Sequence, residues 1–261
     1  MGKDIIMNWK YFYATEKGTS HIANNTSRQD NYSITTFKAS RTRYLISVVA
    51  DGAGSASKSD ISSSFICEFF TNKMKNWLRK HNIADFKKEI AYSWINLLHQ
   101  VLDKAVKDGV TTSRREFAST FLFCVLSDKG NLFMQIGDGA ISVEKNGILD
   151  CVFKPQNGEY INTTHFITED NFKKYLMFEQ NKDEIRKVAM HTDGIETIAL
   201  DMQNMKPHIP FFTPFFNILI KTKNNGENKV LSKNLSEFLN SERVNKMTND
   251  DKTLVVIVAD K

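Results

Sequence analysis

Aspartate supplies most of the chemistry open to this chain. Four short segments carry it: Arg28-Gln29-Asp30, Asp51-Gly52, Asp193-Gly194 and Asp250-Asp251. Two of them follow apolar β-type runs, residues 44–50 and 188–192, and the last precedes another, residues 253–259. Carboxylates brought to strand ends from distant parts of a sequence can meet in space and hold a hard cation. Mg²⁺ and Mn²⁺ take oxygen ligands, typically a few carboxylates with water in the remaining positions. The pattern points to a metal-dependent enzyme that acts on phosphate. Each piece taken alone has a plainer reading, because an Asp-Gly pair after a strand also makes a good turn.

The elements that must position these residues follow from hydrophobic periodicity. Residues 9–37 read as strand, loop, strand, with the polar stretch 17–31 as the loop. The apolar strand 44–50 ends in Asp51-Gly52-Ala53-Gly54-Ser55, where two glycines let the backbone turn and approach a ligand. Two amphipathic helices follow. Ile61, Phe65, Ile66, Phe69, Phe70, Met74, Trp77 and Leu78 keep helical spacing in the first. Phe86, Ile90, Trp94, Leu97, Leu98, Val101, Leu102 and Ala105 do so in the second, which Asp108-Gly109 stops. A hairpin turning at Asp128-Lys129-Gly130 and a second turn at Asn146-Gly147 make the centre β-rich. Residues 154–184 read as a loop-rich insertion with a short helix. A strand at 186–192, helical stretches within 209–240 and a closing strand at 253–259 complete the pattern. Hairpin connections around two helices predict antiparallel sheets flanked by helices, one α+β unit over residues 1–261.

Composition narrows the alternatives. Hydrophobic residues make up 41% of the 261, and 19 phenylalanines can fill a sizeable core. The net charge of +5 comes from dispersed basic residues without a basic stripe, so nucleic-acid binding has little support. Cys67, Cys124 and Cys151 are widely spaced and form no CxxC pair, which argues against zinc and disulfide frameworks. The six histidines share no ligand spacing; His191, two residues before Asp193, reads as a packed histidine. Asp251 reads as a solvent-facing or turn residue. Phe211 to Phe216 read most simply as core, with a partner-docking patch as the alternative. No run approaches the roughly 18 apolar residues needed to span a bilayer. A cytoplasmic protein with no membrane contact is the expectation.

Six segments occur in an order that resembles the metal-dependent protein phosphatase 2C family, especially its compact bacterial branch. They are Gln29-Asp30, then Val49-Ala50-Asp51-Gly52-Ala53-Gly54, then Ala118-Ser119-Thr120, then Ile136-Gly137-Asp138-Gly139. Thr192-Asp193-Gly194-Ile195-Glu196 and Asp250-Asp251-Lys252-Thr253-Leu254-Val255-Val256 complete the set. Gly158-Glu159-Tyr160-Ile161-Asn162-Thr163-Thr164 is also similar to the bacterial branch. The resemblance implies a four-layer α/β/β/α sandwich with the metal centre in a cleft at one end. It implies Mn²⁺ or Mg²⁺, with Asp51 bridging two ions, the Gly52 carbonyl on the second, and Asp193 and Asp250 completing the first. Asp30 then lies in the outer shell, and Asp138 matches an aspartate that, with Asp193, holds a weaker third ion in many members. Two such ions about 3.5–4 Å apart can share a water, lower its pKa and aim it at phosphorus.

Two departures stand out. The animal members carry a histidine just after the Asp-Gly pair as acid for the leaving group, and Ala53 stands in its place. Many members place a phosphate-binding arginine five residues before the aspartate matching Asp30, and that position is Asn25; Arg28 is the substitute expected for it. The function implied is a serine/threonine protein phosphatase, a monomer acting on phosphorylated protein and opposed by a cognate kinase. The rival from another class is a catalytically weak phosphoprotein-binding module on the same fold. Residues 154–184 correspond to the family's variable flap.

Overall fold

Strands covered on both faces lose the alternation of a half-exposed strand and read as unbroken apolar runs. Three such runs, residues 44–50, 121–126 and 254–258, form the middle of a layered structure. The computed structural model describes residues 7–156 and 164–260.

β1 (Asn8–Glu16) leads into the five-residue helix α1 (Thr19–Ala23), and β2 (Asn31–Ala39) and β3 (Thr42–Ala50) form a hairpin. The long helices α2 (Ser59–Leu78) and α3 (Lys88–Lys107) follow. β4 (Phe121–Ser127) pairs with β5 (Asn131–Ile136), and β6 (Ala140–Lys145) with β7 (Ile148–Cys151). Next come α4 (Phe172–Tyr175), β8 (Met177–Asn181), β9 (Ile185–His191) and α5 (Glu196–Ala199). A small ladder of β10 (Leu200–Asp201) and β11 (Lys206–Pro207) precedes α6 (Ile209–Ile220), β12 (Gly226–Glu227), α7 (Lys229–Leu239) and α8 (Glu242–Asn245). β13 (Lys252–Asp260) closes the chain.

The strands make two main sheets. One has the order β2-β3-β4-β5-β8 and is antiparallel throughout. The other runs β12-β1-β13-β9-β6-β7 and is antiparallel except where β12 joins β1. Period-two alternation divides each strand between two cores. In β3, Leu45 and Val49 face the other sheet, while Tyr44, Ile46, Val48 and Ala50 face the helices. In β13, Val255 and Ile257 lie between the sheets, and Leu254, Val256 and Val258 pack under α6 and α7. On α2, Ile66, Cys67, Phe70 and Met74 recur at helical spacing and cover the first sheet together with Ala91, Trp94, Ile95 and Leu98 of α3. The four layers expected from the resemblance are therefore present. Phe212 and Phe216 of α6 are core, as the plainer reading of that segment has it.

Local expectations fail where a short or polar segment takes its structure from distant partners. The polar stretch 17–31 is not all loop, since it carries α1. The insertion 154–184 includes the short helix α4 but also β8, which pairs with β5 from Gln135↔Met177 to Asn131↔Asn181. Residues 158–163 of the bacterial-branch motif lie outside the described residues. Among the described residues no helix is long and apolar enough to cross a membrane.

Phe70 is fully buried, with its ring 4.4 Å from that of Phe121 and 5.2 Å from that of Phe69. Phe70→Ala is expected to destabilise the protein by about 3–5 kcal/mol. Denaturant unfolding checks this: the midpoint falls while the slope stays constant.

Candidate active site

Register brings the aspartates together. Asn31 pairs with Ala50, so Asp30 and Asp51 are the next residues at the same end of the β2–β3 ladder. His191 pairs with both Leu254 and Ala140, which aligns the end of β9 with the starts of β13 and β6. Asp193, Asp250 and Asp138 sit just beyond those ends. The sandwich thus delivers all five carboxyl groups to one edge. Asp51, Gly52, Asp138, Asp193 and Asp250 line a cleft of about 470 Å³, together with His21 and Gln29. A larger cavity of about 720 Å³ adjoins it, sharing Ser55 and Phe166, and is walled by Arg114, Arg115 and Glu169 without any of the five aspartates. Of these two cavities, the aspartates line the smaller one.

Close approach of like charges in a buried setting raises carboxyl pKa values. Burial pushes Asp51 well above the usual carboxylate range, and Asp30, Asp193 and Asp250 push it the same way. Burial also raises Asp193, reinforced by Asp138, Asp250 and Asp30. Asp138 is raised by burial and then by Asp250, although Thr164 donates a hydrogen bond to it. Asp30 is pushed up to about 6 by burial, against the lowering effect of its hydrogen bonds. Those bonds come from the hydroxyls of Thr192 and Thr253, each 2.7 Å from Asp30 Oδ2. Oδ1 of Asp30 is buried with no conventional donor, and the Asp30 and Asp51 carboxyls share a contact that a proton or a cation must bridge.

Asp251 corrects the expectation that it faces solvent. It is 2% exposed, and its oxygens accept hydrogen bonds from the backbone N–H groups of Gly18 at 2.7 Å and Gln29 at 2.5 Å. Those donors are more than 200 residues away in the chain, so no local signal announces them. Glycine matters here for close approach. A Cβ on Gly194 would lie 1.7 Å from the Asp251 carbonyl oxygen, and one on Gly52 would lie 2.6 Å from that of Ser59. Gly54 is under no such constraint, since its nearest neighbour would be Gln29 Oε1 at 3.8 Å.

Other expected residues fall outside the cleft. Arg28 donates from Nε to the Asp30 carbonyl at 3.1 Å and from Nη1 to the Thr15 carbonyl at 3.2 Å, and it is not among the cleft-lining residues. It braces the segment that carries Asp30. His191 is fully buried with Nδ1 2.9 Å from the Thr192 carbonyl, and burial holds its pKa down to about 4. It is a packed histidine, as expected. Thr192, Thr253 and Thr164 fall within the motifs but carry no role in the sequence reading, and His21 falls in no motif; all four meet the site. Glu196 is also raised by burial and by Asp138, and its Oε1 is buried without a partner.

Among the described residues no group of three or more His, Cys, Asp or Glu side chains is preset at ligand spacing for an ion. The donor set nevertheless fits a hard divalent cation in kind. It is all oxygen, it carries mutually repelling carboxyls, and it includes an orphaned Asp30 oxygen.

A family model described as protein phosphatase 2C matches residues 17–240. The chain is 36% identical over 251 residues to serine/threonine-protein phosphatase 3 of Escherichia coli (strain K12), spanning 96% of this chain and 98% of that protein. Its fold is similar to serine/threonine phosphatase Stp1 from Staphylococcus aureus, with a TM-score of 0.59, 12% identity and 100% of each chain covered. It is also similar to the catalytic domain of PstP in complex with two manganese ions, with a TM-score of 0.57, 11% identity, and 98% of this chain and 100% of that one covered. The chain belongs to the protein phosphatase 2C family. It is a phosphoprotein phosphatase of that class.

A carboxyl whose pKa is raised by folding binds its proton more tightly in the folded state. Its contribution to stability is full below the ordinary carboxylate range and is lost as pH rises through the folded value, about 6 for Asp30. The chelated protein is therefore expected to melt at a lower temperature at pH 8 than at pH 5.5. Added Mn²⁺ should raise the melting temperature more at pH 8. Thermal melts with and without chelator check both statements.

Proposed function

We propose that this protein hydrolyses phosphoserine and phosphothreonine in proteins, using Mn²⁺ or Mg²⁺ held in the aspartate cleft. One observation carries the reading: carboxyl groups from separate sheet-end segments converge on one cleft and disturb one another's ionisation. Asp51, the Gly52 carbonyl, Asp193 and Asp250 are the residues that would hold two ions, and Asp138 beside Asp193 would serve a third. Such ions, when bound, neutralise phosphoryl charge and lower the pKa of a water to make it a nucleophile.

The chain's own residues do the rest. Asp30, fixed from behind by Thr192 and Thr253, is held to orient water at the site. Thr120 and Asp51 exchange two hydrogen bonds, Asp51 N–H to Thr120 Oγ1 at 2.9 Å and Thr120 N–H to the Asp51 carbonyl at 2.7 Å, which fixes the strand end that presents the central carboxylate. Thr164 and Phe166, from the insertion 154–184, border the cleft and give that segment a hand in substrate choice. The partners of this reading are a phosphorylated protein and a cognate serine/threonine kinase. It acts as a monomeric, cytoplasmic catalytic unit formed by residues 1–261. The 36% identical phosphatase supports the serine/threonine phosphatase activity, and the two-manganese structural neighbour supports the use of a divalent metal.

Chelation is expected to abolish phosphate release from a phosphopeptide, and Mn²⁺ to restore it. Asp30→Asn should lower kcat/KM by about ten- to a hundredfold, with Asp193→Ala costing more. Tight phosphopeptide binding without turnover in saturating Mn²⁺, read by calorimetry beside the phosphate assay, would establish a binding module instead.

A further inference from the structure

The Asp251 carboxylate does more than accept from the backbone N–H groups of Gly18, Gln29 and Asp30. Its Oδ1 also lies 2.9 Å from Nδ1 of His21, on α1. The contact is close but off the line of a formed hydrogen bond, so it is an electrostatic pairing. Nδ1 is fully buried, whereas the side chain as a whole is 14% exposed and lines the cleft. With Nδ1 turned inward, the edge bearing Nε2 is the one available to the cleft.

The placement is built. Ser20 donates from its backbone N–H and from its hydroxyl to the Asn249 carbonyl, at 2.9 and 2.7 Å. Gly18 packs so tightly on the approach to β13 that a Cβ there would lie 2.4 Å from the Asp250 carbonyl carbon. The helix carrying His21 is therefore docked on the segment that carries Asp250.

Hydrolysis of a phosphoserine expels an alkoxide, a poor leaving group that needs a proton as it departs. Position 53 offers only alanine. The other titratable side chains among the described cleft-lining residues are Asp51, Asp138, Asp193 and Asp250, all carboxyls committed to cations in the reading above. His21 is the one imidazole among them.

We propose that His21 donates the proton to the departing serine or threonine oxygen, with Asp251 as the positioning residue behind it. The step rests on the phosphatase reading above. A bond forms between water oxygen and phosphorus while the bond from phosphorus to the side-chain oxygen breaks. The electron pair of the broken bond stays on that oxygen, which takes the Nε2 proton. The proton lost by the attacking water passes to solvent, and Nε2 is reprotonated from solvent. Asp251 keeps Nδ1 as the protonated nitrogen throughout, as a carboxylate beside one ring nitrogen does.

The test compares leaving groups in His21→Gln. With a phosphoserine peptide in saturating Mn²⁺, kcat is expected to fall about a hundredfold or more with KM little changed. With p-nitrophenyl phosphate, whose phenolate departs without a proton, the loss should be under about fivefold. Nitrogen NMR of the metal-free wild type should show Nε2 as the ring nitrogen that exchanges its proton and Nδ1 as the one that keeps it. Equal losses on both substrates would make His21 a structural residue and overturn the proposal, as would Nδ1 titrating in place of Nε2. Unaltered peptide turnover overturns it too. A wild-type protein inert toward both substrates in Mn²⁺ sinks the phosphatase reading and this step with it, whereas an active wild type with equal losses in the variant sinks this step alone.

Discussion

Repulsion among buried carboxyls is the constraint around which the molecule is arranged. Asp30, Asp51, Asp193 and Asp138 are each held in surroundings that disfavour their charge, and the charges of Asp30, Asp193 and Asp138 make neighbouring carboxyls harder still to ionise. Folding such a group together is costly unless something positive joins it. The two-sheet framework bears that cost because its strands are pinned on both faces. Between the sheets lie Leu45, Val49, Leu122, Val255 and Ile257, and beyond them the helices shield the outer faces. A half-exposed sheet would have had room to splay its acidic end and relax the repulsion; one clamped from both sides does not.

The acidic edge is braced by uncharged groups. Threonine hydroxyls meet Asp30 and Asp138, and glycines let Asp51 and Asp193 sit against neighbouring backbone. Asp251 joins the two ends of the chain, since it ties the stretch from Gly18 to Gln29 onto the approach to β13. This explains how two adjacent aspartates can differ in kind. Asp250 opens toward the cleft, while Asp251 turns inward and is satisfied by backbone donors.

Much of this is legible in the sequence. Apolar runs marked β3, β4 and β13, helical spacing marked α2 and α3, and Gly109, at φ 79, ends α3 where the pattern stops. Asp51, Asp193 and Asp250 stand at strand ends, and that position is itself a sequence signal. What was hidden depends on distant partners or on short elements. α1 has five residues, too few for periodicity to register. β8 is a polar edge strand whose identity comes from β5. The burial of Asp251 and the place of His21 rest on contacts across almost the whole length of the chain. Arg28 could be read as a phosphate ligand only by its distance from Asp30; its actual partners are two carbonyl oxygens.

The position of β13 has a consequence for the order in which the acidic edge can form. It lies between β1 and β9 in its sheet, yet among the described strands it is the last in chain order and β1 the first. Until it docks, β1 has no antiparallel neighbour and Asp250 and Asp251 are missing from the acidic edge. The edge is therefore not assembled piece by piece, because domains close as units when their distant pieces are all present. A change that keeps this strand from docking would remove the cluster altogether and not merely loosen it.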